Sequence, residues 1–223
     1  ESLERRLAAE FGDIEMLNTF KKTPHFMGKV KATPLGIVLH VTAGNVFLSS
    51  FDSLIMGFLT KNLSIIKVSS QNKFFPSFFA KQLLHFDKKR ILSDKFAVLH
   101  WKGGSQKEEN FLKKKVNAIV AWGGEEMIAS YRKDLSAQVK FLEFGPKLSL
   151  QIISKEGLKN KDLKIVAEKI AADIIPWDQG ACASPQNLYL QESIDASELL
   201  KHLDEAFAEA PGRGTVSDDE AVE

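Results

Sequence analysis

Gly36-Ile37-Val38-Leu39-His40-Val41 runs straight into Thr42-Ala43-Gly44-Asn45, and this passage decides the fold. A short, almost wholly apolar run rich in β-branched residues suits a strand buried on both faces, and the small and polar residues behind it suit a turn. An apolar helix is expected from about Val46 to Leu59. The same succession then recurs. Ser64-Ile65-Ile66-Lys67-Val68 reads as a second strand, followed by a helix from about Pro76 to Lys89. Phe96-Ala97-Val98-Leu99-His100 reads as a third, with Gly103-Gly104 and a polar helix behind it. Asn117-Ala118-Ile119-Val120-Ala121 is a fourth, with Gly123-Gly124 and another helix, and Val139 to Phe144 is a fifth. Apolar runs alternating with helices predict an α/β fold, a Rossmann-like parallel sheet with helices on both faces. In such sheets ligands bind beyond the carboxyl ends of the strands. That rule singles out Asn45, Lys67 to Ser70, Gly103-Gly104, Gly123-Gly124 and Glu143 by position alone. No G-x-G-x-x-G occurs, so the usual dinucleotide fingerprint is missing, and the paired glycines by themselves imply only tight turns.

Outward from this core, Leu3, Leu7, Phe11, Ile14, Leu17 and Phe20 recur every three or four residues. They predict an amphipathic helix before Thr23-Pro24, with a break available at Gly12. Beyond Pro146, strands are expected at Leu148 to Ile153 and Leu188 to Leu190, with helices at about Leu163 to Ile174 and Ala196 to Ala208, ahead of a turn at Pro211 to Gly214. Between them lies Ile175 to Leu190, which holds Cys182, the only cysteine. Pro176 and Pro185 exclude a regular helix through it, and Gly180, Ala181, Ala183 and Ser184 leave the sulfur approachable. Cys182 is then either a nucleophile on a turn or a small buried hydrophobe.

The chain has 223 residues, 44% of them hydrophobic, enough for one large domain or one domain and part of another. Its 30 basic and 29 acidic residues nearly cancel, which gives no overall field for nucleic acid or an acidic membrane. Lys88-Lys89-Arg90 and Lys113-Lys114-Lys115 read as solvated helix ends. One cysteine excludes an internal disulfide, no Cys/His spacing suits a metal, and no apolar run is long enough to span a bilayer. A cytoplasmic protein without stable membrane insertion is expected. The sequence opens on Glu1 and closes on Val216 to Glu223, which reads as the start of another helix capped by Ser217, so a fragment is expected.

Four stretches together resemble the aldehyde dehydrogenase superfamily, and within it the LuxC-type long-chain acyl-CoA reductases. They are Pro34-Leu35-Gly36 through Asn45; Ile65-Ile66-Lys67-Val68-Ser69-Ser70; Leu142-Glu143-Phe144-Gly145-Pro146-Lys147; and Asp178-Gln179-Gly180-Ala181-Cys182-Ala183-Ser184-Pro185-Gln186. The last is the most specific. The resemblance implies a nicotinamide dinucleotide-binding domain with its N-terminal helix at 1–147, and at 148–223 the beginning of a truncated catalytic domain. It implies NADPH-dependent reduction of a long-chain acyl-CoA, or another acyl thioester, to a fatty aldehyde through an S-acyl intermediate on Cys182. Aldehyde oxidation and an inactive cofactor-binding fragment are the alternatives.

In that resemblance the oxyanion donors are the Asn45 side-chain amide and the Cys182 backbone N–H; without it, Asn45 reads as a helix cap. Lys67 would bind ribose hydroxyls, Ser69 and Ser70 a 2′-phosphate, and Gly123 and Gly124 would lie beneath the cofactor. Glu143 would deprotonate Cys182 or manage the proton of collapse; otherwise it is a solvated carboxylate at a strand end. Asp178 and Gln179 shape the cysteine turn, His40 and His100 read as core or loop residues, and Trp101 and Trp177 as packing. Implied partners are an acyl-protein synthetase and an acyl-transferase, with an oligomeric full-length parent. NADH tolerance, acyl chain length and a bioluminescent setting stay open.

Overall fold

The computed structural model describes residues 2–24, 26–46, 48–192 and 194–212. The expected helix opening at 216–223 and the second half of the turn at 211–214 lie outside them. The chain divides into two compact units, Glu1–Gly145 and Pro146–Glu223.

In the first unit, helix α1 (Ser2–Phe11) stops earlier than its apolar spacing suggests. Gly12 takes φ +72°, and its N–H donates to the carbonyl of Ala8 at 2.7 Å, a left-handed ending that glycine adopts without penalty. Asp13 then caps a single 3-10 turn, Ile14–Leu17, by accepting from the Glu15 N–H. The apolar pattern that runs to Phe20 is therefore broken at Gly12, as the sequence allowed, and belongs to two short pieces. An antiparallel hairpin follows, β1 (Lys21–Thr23) and β2 (Phe26–Val30), which the sequence reading did not anticipate.

The expected sheet is present. Its strands are β3 (Ile37–Val41), β4 (Leu63–Lys67), β5 (Phe96–Leu99), β6 (Ala118–Trp122) and β7 (Lys140–Phe144). All pairings are parallel, in the order β5-β4-β3-β6-β7. The connecting helices are α2 (Ser49–Leu59), α3 (Phe74–Phe86), α4 (Gln106–Lys113) and α5 (Glu125–Arg132). Period-2 alternation splits the strand side chains between two cores. Leu39, Val41, Ile119 and Ala121 meet Leu112 of α4 with Ile128 and Tyr131 of α5. On the other face Ile66 and Val68 meet Leu54 of α2, with Phe79 and Leu83 of α3 packed against them. Entry into β3 is pinned by two asparagines. The Asn62 side-chain oxygen accepts from the N–H groups of Leu35 (2.7 Å) and Gly36 (3.1 Å), and that of Asn117 from Ile37 N–H (2.8 Å).

The Lys113 reading needs correction. Lys113 is 8% exposed, and its Nζ donates to the carbonyls of Ser130 (2.7 Å) and Lys133 (3.0 Å), so it stitches α4 to the end of α5. Its neighbours Lys114 and Lys115 are exposed as expected.

The second unit contains β8 (Ser149–Ile153), the short α6 (Lys155–Leu158), α7 (Leu163–Ile174), β9 (Pro185–Leu190) and α8 (Ala196–Glu209). Strands β8 and β9 pair in parallel, with a register shift that leaves Gln186 between the partners of Ser149 and Leu150. Ala167, Ile170 and Ala171 of α7 bury against Leu199 and Leu203 of α8, with Ile153, Leu188 and Leu190 packed on them. Among the described residues no helix is long and apolar enough to cross a membrane.

Candidate active site

Strand β3 is where the chain reverses the order of its sheet: it lies between β4 and β6, so the loops leaving β3 and β6 border the crevice at the carboxyl rim. Asn45 sits in the first of these loops, exposed. Helix α2 begins only at Ser49, with Leu48 in the cap position, so Asn45 is not the cap of that helix. The loop is held close to its neighbour. A Cβ on Gly44 would lie 2.6 Å from Ser69 Oγ, so glycine is what lets the β3 and β4 loops touch.

In the loop after β6 the two glycines differ. A Cβ on Gly123 would meet the Met127 methyl at 2.5 Å, so its missing side chain accommodates the protein's own methionine. Around Gly124 nothing lies within 4 Å of that position, and the residue stands exposed just before α5. Trp122 stacks on Phe144, ring centroids 3.8 Å apart and planes within 7°, closing the β6–β7 end of the rim.

Lys67 ends β4, yet its side chain is buried (8% exposed) on the α4–α5 face rather than standing in solvent. Its Nζ lies 5.9 Å from the Trp101 ring centroid. Burial pushes the ammonium pKa below its ordinary value, and the nearby charge of Glu109 opposes that. Glu109 is itself buried, accepting from Gly104 N–H and Ser130 Oγ, both at 3.2 Å. Ser69 and Ser70 follow Lys67 but turn to different partners. Ser69 Oγ accepts from the Gln71 N–H at 3.3 Å, whereas Ser70 Oγ lies 3.3 Å from His100 Nε2. His100 thus gains a partner that sequence spacing did not show; the cause is the parallel register Lys67↔Leu99, which carries both chains over the rim side by side. Glu143 faces Ala121 across β6–β7, and its carboxylate is gripped by Arg132 of α5, a partner the sequence also hid.

In the second unit, Cys182 lies on a turn between α7 and β9, with no regular helix through it, as the flanking prolines predict, and it is exposed. Trp177, Asp178 and Gln179 all take left-handed φ values (63°, 56° and 59°), an unusual run for residues bearing a Cβ. Trp177 is 37% exposed, so most of its surface is covered while part stays open. The turn is tied from both sides. Ser184 Oγ donates to the Pro176 carbonyl at 2.9 Å, and Ser149 Oγ donates to the Cys182 carbonyl at 2.5 Å. The main chain of Cys182 is therefore fixed to the start of β8 while its thiol stays open to solvent.

Comparison with known proteins bears on the family and the fold. The family model described as acyl-CoA reductase (LuxC) matches residues 1–216. The long-chain acyl-protein thioester reductase of Aliivibrio fischeri is 34% identical over 218 residues, which is 95% of this chain and 43% of that protein. Its namesake in Vibrio harveyi is 35% identical over 163 residues, covering 72% of this chain and 33% of its own length. The chain thus spans less than half of these relatives. Among solved structures, indole-3-acetaldehyde dehydrogenase AldA of P. syringae, in complex with NAD+ and IAA, superposes with a TM-score of 0.69 at 19% identity, over 85% of this chain and 38% of its own. An NAD-dependent benzaldehyde dehydrogenase from Corynebacterium glutamicum gives 0.70 at 14% identity, over 94% and 45%. The aldehyde dehydrogenase fold and the match along residues 1–216 lead to one assignment: the chain belongs to the LuxC family of acyl-CoA reductases.

Proposed function

We propose that this chain carries the nucleophile and the cofactor-binding rim of an NADPH-dependent reductase that converts a long-chain acyl thioester, as acyl-CoA or acyl-protein, to the fatty aldehyde. The observation that carries the reading is the placement of the only cysteine, exposed on a turn whose main chain is tied down by Ser149 and Ser184. A thiolate is a strong nucleophile near neutral pH, and a fixed backbone holds it in one attitude. The Cys182 thiolate attacks the thioester carbonyl, a new C–S bond forms, the bond to the departing thiolate breaks, and the acyl group rests on Cys182. The Cys182 N–H and the Asn45 amide are the proposed donors to the oxyanion; a neutral amide stabilises a charge that appears and vanishes without becoming a standing counter-ion.

The first unit fits a nicotinamide dinucleotide. Gly124 leaves the open approach that a bound cofactor would use, and Ser70 with His100 offers polar groups at the rim. Lys67 would reach ribose hydroxyls only from its buried seat beside Trp101. Such a cofactor, when bound, supplies the hydride that takes the acyl carbon to the aldehyde level. Glu143 is the candidate for moving the protons of acylation and collapse, and to do so it must leave Arg132. The units correspond to cofactor-binding and catalytic functions, and the partners we propose are those the family resemblance implies: an acyl-protein synthetase and an acyl-transferase.

Incubation with a long-chain acyl-CoA and NADPH tests the proposal. Fatty aldehyde formed by the wild type and not by Cys182→Ala supports it. Aldehyde formation that survives in Cys182→Ala overturns it.

A further inference from the structure

We infer that Ser149 is a positioning residue for acyl transfer: by holding the Cys182 carbonyl it turns the Ala183 N–H outward, as a further donor to the oxyanion that forms on the acyl carbon. The inference rests on the acyl-transfer reading and adds two groups to which the family resemblance gives no part in the chemistry. The geometry comes first. Ala181 to Ser184 form a tight turn closed by the Ser184 N–H, which donates to the Ala181 carbonyl at 3.0 Å. Its base is buried: Ala181 and Ser184 are 5% and 2% exposed, and the Ser184 hydroxyl ties it to the Pro176 carbonyl. Its corner, Cys182 and Ala183, is exposed. The peptide between these two residues is the one left to swing, because the hydrogen bond that closes the turn does not involve it. Ser149 supplies the hold. The parallel register sets Ser149 beside Pro185, just past the turn, and its Oγ donates to the Cys182 carbonyl at 2.5 Å.

The chemistry follows. In a trans peptide the N–H points opposite to the carbonyl, so a Cys182 carbonyl held on β8 directs the Ala183 N–H away from that strand, toward solvent. A thioester reaches the exposed thiol from that side. As the Cys182 sulfur bonds the acyl carbon, the π pair of the carbonyl moves to oxygen, and it returns when the departing thiolate leaves. The N–H that follows a nucleophile is well placed for such an oxyanion, as in the strand-to-helix turn of the α/β-hydrolases. Ala183 itself agrees with this orientation. It does not take a positive φ, whereas the flipped peptide of a type II turn would require one at its position. The flip is thus already disfavoured, and Ser149 narrows the rocking that remains. A donor fixed before the charge develops needs no reorganisation as the oxyanion forms. The bond acts on the peptide and not on the sulfur, so Ser149 matters to acyl transfer and not to thiol reactions that form no oxyanion.

Two reactions of Cys182 test this side by side: acylation by a long-chain acyl-CoA, and alkylation by iodoacetamide, which forms no oxyanion. Both are followed by intact-protein mass spectrometry in wild type, Ser149→Ala and Ser149→Thr, with circular dichroism confirming the fold of each. Ser149→Ala is expected to acylate roughly tenfold more slowly, short of the loss of about a hundredfold or more for a whole oxyanion donor, and to alkylate within about twofold of wild type. Ser149→Thr, which keeps the hydroxyl, should recover most of the acylation rate. Three results overturn the inference while leaving acyl transfer in place: acylation unchanged in Ser149→Ala, Ser149→Thr as slow as Ser149→Ala, or acylation and alkylation slowed equally. A wild-type chain that alkylates but does not acylate overturns the acyl-transfer reading, and this inference with it.

Discussion

Arg132, at the end of α5, grips the carboxylate of Glu143 on β7, and the two side chains are 59% and 44% exposed. The same guanidinium lies 5.2 Å from the Phe141 ring centroid, so it covers the edge strand as well as pairing its charge. A pair this open to water is screened and contributes little. Arg132→Ala should lower stability by less than about 1 kcal/mol in a denaturant titration. A loss of several kcal/mol would show that Arg132 holds β7 in place by more than the visible contacts.

His40 makes stability depend on pH. It is 6% exposed in the middle of the sheet, and neither ring nitrogen has a hydrogen-bond partner among the described residues. Burial lowers its pKa from 6.5 to about 4. The unfolded chain therefore binds more protons between those values, so stability is complete above pH 6.5 and falls as pH drops toward 4. Urea unfolding at pH 7 and pH 4.5 should differ by about 2 kcal/mol from this residue, and His40→Leu should remove that share of the difference. An unchanged pH dependence in His40→Leu would contradict the account.

Gly36 explains itself at the entry to β3. It takes φ +114°, and a Cβ there would collide with the Asn117 amide, whose oxygen holds the Ile37 N–H. Gly36→Ala should destabilise by about 2 kcal/mol or more, from backbone strain and the displaced hydrogen bond together. A thermal melt within a degree or two of wild type would show that the loop relaxes.

Leu39 and Ile119 are paired across β3 and β6, and both are fully buried. Leu39→Ala should cost about 2–5 kcal/mol, the range for emptying a packed leucine site. A loss below 1 kcal/mol in urea unfolding would mean that the sheet centre collapses around the gap.

The central strands β3 and β6 were legible because each is one contiguous, mostly apolar run, which is what burial on both faces demands. At the edge β7 is largely exposed, and it was legible from Phe141 and Leu142 set between Lys140 and Glu143. Observed ends shifted by one residue in most cases, and α2 begins three residues later than expected. The β1–β2 hairpin was not legible: Lys21-Lys22-Thr23 has no apolar face, and Phe26 and Met27 stand exposed (58% and 104%) instead of alternating inward and outward. At the rim, position along the chain located the residues but not their side chains. Lys67 proved buried, because residue 67 shares the inward face of Ile65 and lies beneath Trp101. Ser70–His100 and Arg132–Glu143 arise from the order and register of strands, which no single segment encodes. The cysteine turn was the converse case. Its prolines excluded an α-helix through Cys182 whatever the tertiary context, and Pro176 opens a 3-10 turn while Pro185 opens β9.

Acyl transfer to Cys182 is the central claim, and intact-protein mass spectrometry after brief exposure to a long-chain acyl-CoA without cofactor tests it most directly. The account predicts one acyl adduct per chain, released by neutral hydroxylamine as a thioester must be and missing from Cys182→Ala. An unmodified wild-type chain, or an adduct that persists in Cys182→Ala, would contradict it.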